Sequence, residues 1–376
     1  MNQKGLLSLP RDVLVLLPNF LHNIEDYANL SSTCRTLRQC MSAATPNTIL
    51  RLAAAQSRIF FRPSPHFLVA ATARELGNWA RECDANEREL CRKLQDGWDG
   101  LLDLAVSQAR CGLTMERIRE LHLMRFSVIN PVTDVFDKCV GRQWYSTPNF
   151  WNGGVDDAYT IHSDPPAAVF HLATYGELFA PDLEAVLWQD GDARRLSVET
   201  RLEYIKYCVP DWATSMDPTW GAQQLDPRRA VKPTGPYAEE APRLDNNNLA
   251  LTWVINSSRW KPHWKEIRAK AGPGFMEEEL DDGWWYDPNR YGGGNPYWRQ
   301  RLWENTMICQ GLEGLGMIRP GLQERWIPKI KEWREKIAKL EKEPPVVMVG
   351  RQGTLDYPYL LGDLRICVSG YVPGTY

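Results

Sequence analysis

Nowhere in these 376 residues does an apolar run approach the roughly 18 residues that a helix needs to cross a bilayer, so no membrane span is expected. Charge of one sign is also missing. The 44 Lys and Arg nearly balance the 47 Asp and Glu, leaving −3, which provides no electrostatic footprint for nucleic acid or an anionic membrane. Cysteine is scattered, at 34, 40, 83, 91, 111, 139, 208, 309 and 367, and no two form a Cys-x-x-Cys pair. That excludes the usual zinc and redox motifs, and an odd, dispersed set reads as reduced thiols of a cytoplasmic or nuclear protein. The first ten residues hold one lysine and a single Leu-Leu pair before a proline, so no secretory signal is expected. No repeat with a period of roughly 20–50 residues is present, which rules out leucine-rich, WD40 and kelch arrays. Gly-x-Ser-x-Gly and His-Glu-x-x-His are absent, and Gly311, Gly314 and Gly316 lack the spacing of a phosphate-binding loop. No catalytic residue, cofactor or metal is expected.

What is present is a chain 43% hydrophobic, long enough for one large domain or two beyond a small N-terminal module. Its periodicity is mostly helical. The spacing predicts helices over residues 48–55, 67–83, 86–111 (interrupted at Gly97 and Gly100) and 115–126, the last capped by Thr114. Two short helices are expected at 167–175 and 180–188, and clearer ones at 198–209, 249–271 (bent at Pro262), 298–310 and 321–341. In the last of these Trp326, Ile330, Trp333, Ile337 and Leu340 make one apolar stripe. Prolines and glycines mark long loops near 211–248 and 272–297. The segments 346–349 and 365–368 are expected as two short strands or as a packed arm, and no other β-structure is foreseen.

The N-terminus carries the densest pattern. Leu9, Val13, Leu14, Leu17 and Leu21 share one helical face, and Leu30, Cys34 and Leu37 share a second after a break near Asn23. A unit below roughly 40 residues cannot bury this much apolar surface alone, so it docks on the rest of the chain, on a partner, or on both. Pro18 interrupts the first run. An interior proline costs about 3 kcal/mol, so the helix is expected to kink there or to stop near Leu17 and restart.

In order and spacing, Leu9-Pro10, Asp12-Val13-Leu14, Leu21, Asp26, Leu30 and Cys34-Arg35-x-Leu37 resemble the F-box, in its fungal form. The resemblance covers about a tenth of the chain. It implies a three-helix F-box over residues 1–45 packed on a larger, irregular all-α body at 46–376. It further implies a substrate receptor of a Skp–cullin–F-box ubiquitin ligase, with a Skp-type adaptor and, through it, a cullin–RING ligase as partners. The adaptor-facing residues would be Leu9, Pro10, Val13, Leu14, Leu17, Leu21, Leu30 and Leu37, and the body would capture an unknown protein substrate. A plain helical hairpin packed on its own domain is the structural alternative.

In the body, tryptophan is the anomaly: 16 in all, most between Trp188 and Trp333. Trp284, Trp285, Tyr286 and Tyr291 are candidates for an aromatic substrate groove, against the more ordinary reading that tryptophans plug an irregular core. The acidic string Glu277 to Asp282 is either a solvated loop or a surface for a basic tail. Asp156, Asp157, His162, Asp164 and His171 would be the site if the chain were an enzyme with an F-box-like leader, although their spacing matches no ligand signature. A regulator that binds the adaptor without directing ubiquitylation is the third reading.

Overall fold

Five helices begin where a short polar side chain accepts the backbone N–H three residues on. Asn23, Thr45, Ser64, Thr114 and Ser197 cap in this way, to Asp26, Thr48, Phe67, Arg117 and Thr200. A computed structural model of the chain describes residues 5–58, 62–107, 112–140, 164–189, 192–209, 251, 261–276, 298–342, 347–349 and 357–359. The fold is mostly helical, as expected.

A 3-10 turn (Leu6–Ser8) leads into α1 (Arg11–Leu14), a second 3-10 turn (Leu17–Phe20), α2 (Ile24–Thr33) and α3 (Arg35–Met41). α4 (Pro46–Ala54), α5 (Pro65–Arg81), α6 (Asp84–Leu94) and α7 (Gly97–Ser107) follow. The expected helix over 86–111 is thus two helices. Gly97 sits at φ +65, a left-handed conformation that ends one helical course before the next starts.

α8 (Met115–Met124) does not stop at 126. It passes through a π turn (Arg125–Ile129) into α9 (Asn130–Val140), which the periodicity had not indicated. Pro131, lacking an N–H, accompanies this widening of the ladder. The pair of short helices expected at 167–188 is one, α10 (Pro165–Leu187), with Pro181 inside it. Gly176 does not break it. A Cβ there would lie 2.2 Å from the Gly311 nitrogen, so this glycine lets two backbones meet. Burial of nearly the whole of α10 outweighs the roughly 3 kcal/mol an interior proline costs.

α11 (Val198–Cys208), α12 (Lys261–Ala271), α13 (Trp298–Ile308), α14 (Gly311–Leu315) and α15 (Ile327–Lys339) complete the described helices. Of the helix expected over 249–271, residues 252–260 lie outside the described residues, so the bend expected at Pro262 does too; Lys261–Ala271 are helical. α15 starts six residues later than the stripe suggested, after a 3-10 turn (Pro320–Leu322) and with Pro328 in its own first turn. The backbones of Val347–Val349 and Tyr357–Tyr359 pair antiparallel with Met348 opposite Pro358. The other expected strand, at 365–368, lies outside the described residues.

α5 and α10 pack on each other at the centre and contribute more buried side chains than any other described helices. Ile24, Tyr27 and Met41 of the N-terminal helices belong to the same hydrophobic core as Ile49, Leu52, Phe67 and Leu76, so that core runs straight across residue 45. The Tyr27 hydroxyl donates to the Met41 carbonyl at 2.7 Å, locking α2 to α3 within it.

Candidate functional site

Two places stand out, an apolar ridge at the N-terminus and a charged cleft on the body. The ridge comes from a four-residue helix that buries only one side chain. Pro10 sits at the N-cap of α1, and the chain leaves the helix at Val15. Leu14 packs at 3% exposure against Leu37 and Cys40, with Val15, Leu17, Leu30 and Cys34 around them. This small core is separate from the main one, and Leu30 touches both. Six large apolar side chains of this stretch face solvent: Leu6, Leu7, Leu9, Val13, Leu16 and Phe20, the last 76% exposed.

The break foreseen at Pro18 is present, earlier than expected and held from outside. α1 ends at Leu14, and Pro18 lies buried in the 3-10 turn Leu17–Phe20. Arg51 on α4 donates to the carbonyls of Leu21 (2.9 Å), Pro18 (2.9 Å) and Asn19 (3.3 Å). Carbonyls freed by the interrupted helix thereby find donors.

The eight sequence-predicted adaptor residues separate into three groups. Leu9, Pro10 and Val13 are exposed; Leu17, Leu21 and Leu30 are half-buried against the two cores; Leu14 and Leu37 are buried. The last two hold α1 on α3 and present no surface to a partner, because a four-residue helix has only this face with which to anchor itself. Leu6, Leu7, Leu16 and Phe20, exposed alongside Leu9 and Val13, are not among the sequence candidates. Periodicity finds the face a helix buries, and these lie off that face or outside the helix.

On the body, α5, α8, α10, α14 and the start of α15 enclose a cleft of about 590 Å³. Its floor is Glu177, almost wholly buried on α10. One carboxylate oxygen accepts from Arg74 Nε at 2.9 Å and the other from the Leu312 N–H at 3.1 Å, near the start of α14. The rim adds Glu75, Glu116, Glu120, Glu184 and Glu313, with Arg117, Lys329, Gln310 and Trp326. This cleft was not foreseen, since its carboxylates come from four helices far apart in sequence and no local spacing announces them.

Of the residues proposed for an enzyme site, Asp164 precedes α10, while His171 is fully buried on it. The His171 ring lies 5.3 Å from His66 and 5.0 Å from Trp98, and desolvation, reinforced by His66, holds its pKa well below the ordinary histidine value. Burial likewise raises the Asp182 carboxyl, against the pull of Arg81, whose Nε donates to it at 2.7 Å. Asp156, Asp157 and His162 lie outside the described residues, as do Trp284, Trp285, Tyr286, Tyr291 and the acidic string at 277–282. Among the described residues no group of three or more His, Cys, Asp or Glu is placed to hold a metal ion, and no helix is long and apolar enough to cross a membrane. Trp264, Trp303 and Trp333 are core side chains, whereas Trp326 is only half-buried and forms a wall of the cleft.

No protein-family model matches the chain, and no curated protein or solved structure matches it either.

Proposed function

We propose that this chain is a substrate receptor of a Skp–cullin–F-box ubiquitin ligase, docking on a Skp-type adaptor through its N-terminal helices and presenting a target with its body. One observation carries the reading. The segment that resembles the F-box leaves Leu6, Leu7, Leu9, Val13, Leu16 and Phe20 in solvent, although the same short module buries Leu14 and Leu37. Burying each such side chain in an interface contributes about 1.5–3 kcal/mol, so half a dozen together suffice for a stable contact after the cost of association. Catalysis by such a subunit is proximity: fixing a target near the ubiquitin-loaded enzyme raises its effective concentration.

The test is co-purification with the adaptor. A Leu9→Ala/Pro10→Ala chain, altered only at exposed positions, should lose the adaptor while keeping its helical circular dichroism and thermal unfolding. Undiminished co-purification overturns the reading. Stable adaptor binding with no change in ubiquitylation of any captured protein favours the regulator instead.

A further inference from the structure

We infer that Ser197 is a phosphorylation site for a basophilic serine kinase, and that the phosphate frees α11 from α6. Arg194-Arg195-Leu196-Ser197-Val198 is the only place in the chain where an Arg-Arg pair stands three and two residues before a serine or threonine. Kinases that select basic substrates read this pattern through acidic pockets for the two guanidinium groups and an apolar one for the residue after the serine. The motif lies between the end of α10 and the start of α11. Residues 194–197 belong to neither helix nor strand, and Ser197 has φ −64 and ψ 160, an extended conformation of the kind a kinase cleft takes up. Arg194 and Arg195 are exposed, and Ser197 is half-buried.

Two carboxylates hold this stretch down. Through one oxygen Glu87 on α6 accepts from the Ser197 N–H at 2.6 Å and the Thr200 hydroxyl at 3.0 Å; through the other it accepts from Arg194 at 2.9 Å. Asp182 on α10 accepts from the Leu196 N–H at 3.3 Å. The Ser197 hydroxyl itself caps α11, accepting from the Thr200 N–H at 3.2 Å. A kinase needs both Arg194 and that hydroxyl, so the stretch opens locally before transfer. In the transfer the hydroxyl oxygen bonds to the γ-phosphorus of ATP and the bond from that phosphorus to the β–γ bridging oxygen breaks. ADP leaves with the electron pair, and the hydroxyl proton passes to the kinase's carboxylate base.

The product does not fit the closed arrangement. Burial alone would raise the Glu87 carboxyl, but hydrogen bonds from Ser197, Thr200 and Arg194 hold it below its ordinary value, so it is ionised. A phosphate on Ser197 stands beside this carboxylate, and Arg194 is already shared by Asp84 and Glu87. Repulsion of like charges there exceeds the attraction of the α11 N-terminus, and the link from Glu87 to α11 is lost.

The experiment uses the full chain with the catalytic subunit of a cyclic-AMP-dependent protein kinase and magnesium ATP. No adaptor is present, so the result is independent of the receptor reading. Fragment mass spectra should place a phosphoryl group on Ser197. Arg195→Ala, at an exposed side chain, leaves Glu87 and Asp182 their partners and should slow transfer about a hundredfold. Glu87→Gln keeps the motif, weakens the clasp and should speed transfer several-fold. Hydrogen exchange of the phosphorylated chain should rise over residues 192–204 and stay unchanged over α2 and α3. Absence of phosphate from Ser197, an undiminished rate in Arg195→Ala, an unchanged or slower rate in Glu87→Gln, or unchanged exchange at 192–204 overturns the inference.

Discussion

Arg51 on α4 donates to the carbonyl of Pro18 at 2.9 Å, so a side chain of the body fixes the point at which the first N-terminal helix is broken. The ridge is then held by the body at Pro18 as well as by Leu14, which packs α1 on α3. Arg51→Ala removes three hydrogen bonds to backbone carbonyls. The expected cost is about 1–2 kcal/mol, confined to the N-terminal module. Limited proteolysis should show faster cleavage near Phe20, with unfolding of the body almost unmoved.

Glu177 is the second anchor, joining α5 through Arg74 to the start of α14 through the Leu312 N–H. Glu177→Ala leaves a buried N–H and a half-exposed guanidinium without their acceptor. A loss of about 2 kcal/mol is expected after allowing for solvent screening at Arg74, read as a lower midpoint in urea unfolding.

His171 predicts a pH dependence. Burial holds its pKa in the folded chain well below the ordinary value of 6.5. Below pH 6.5 the unfolded state takes up a proton that the folded state refuses, so stability is present above that pH and is lost as the pH falls below it. His171→Phe should flatten the slope between pH 7 and 5 in urea titrations, provided the ring is accommodated; the conservative His171→Gln gives the same test without added volume.

Asp99, in the first turn of α7, gives the opposite sign. Desolvation, followed by repulsion from Asp96, pushes its carboxyl to about 6 from 3.8. Its ionisation therefore destabilises the fold progressively as pH rises through 6. Asp99→Asn should raise stability by about 1 kcal/mol at pH 7.5, the full shift being discounted for partial exposure, and by nothing near pH 3.5.

The helices were legible where a cap or a stripe was local. Thr114 marked the start of α8, and Ile330, Trp333 and Ile337 marked the buried face of α15. What could not be read depended on contacts distant in sequence. Gly176 looks like a breaker until Gly311 lies against it, and Pro181 reads as a stop until both sides of α10 are buried. At the N-terminus the pattern located the module but not its outward face. Leu9 and Leu14 occupy one predicted stripe, yet one is exposed and the other buried, because α1 is too short to present a full helical face. The cleft is assembled from residues 71 to 329 and leaves no trace in any local window.

The central claim is that the ridge between Leu6 and Phe20 is the adaptor-binding surface. Hydrogen exchange of the full chain, with and without a Skp-type adaptor, tests it most directly. Protection on adding the adaptor should fall on residues 6–20, vanish in the Leu9→Ala/Pro10→Ala chain, and leave the helices around the cleft unchanged. Absence of a complex, or protection confined to the body, would contradict the claim.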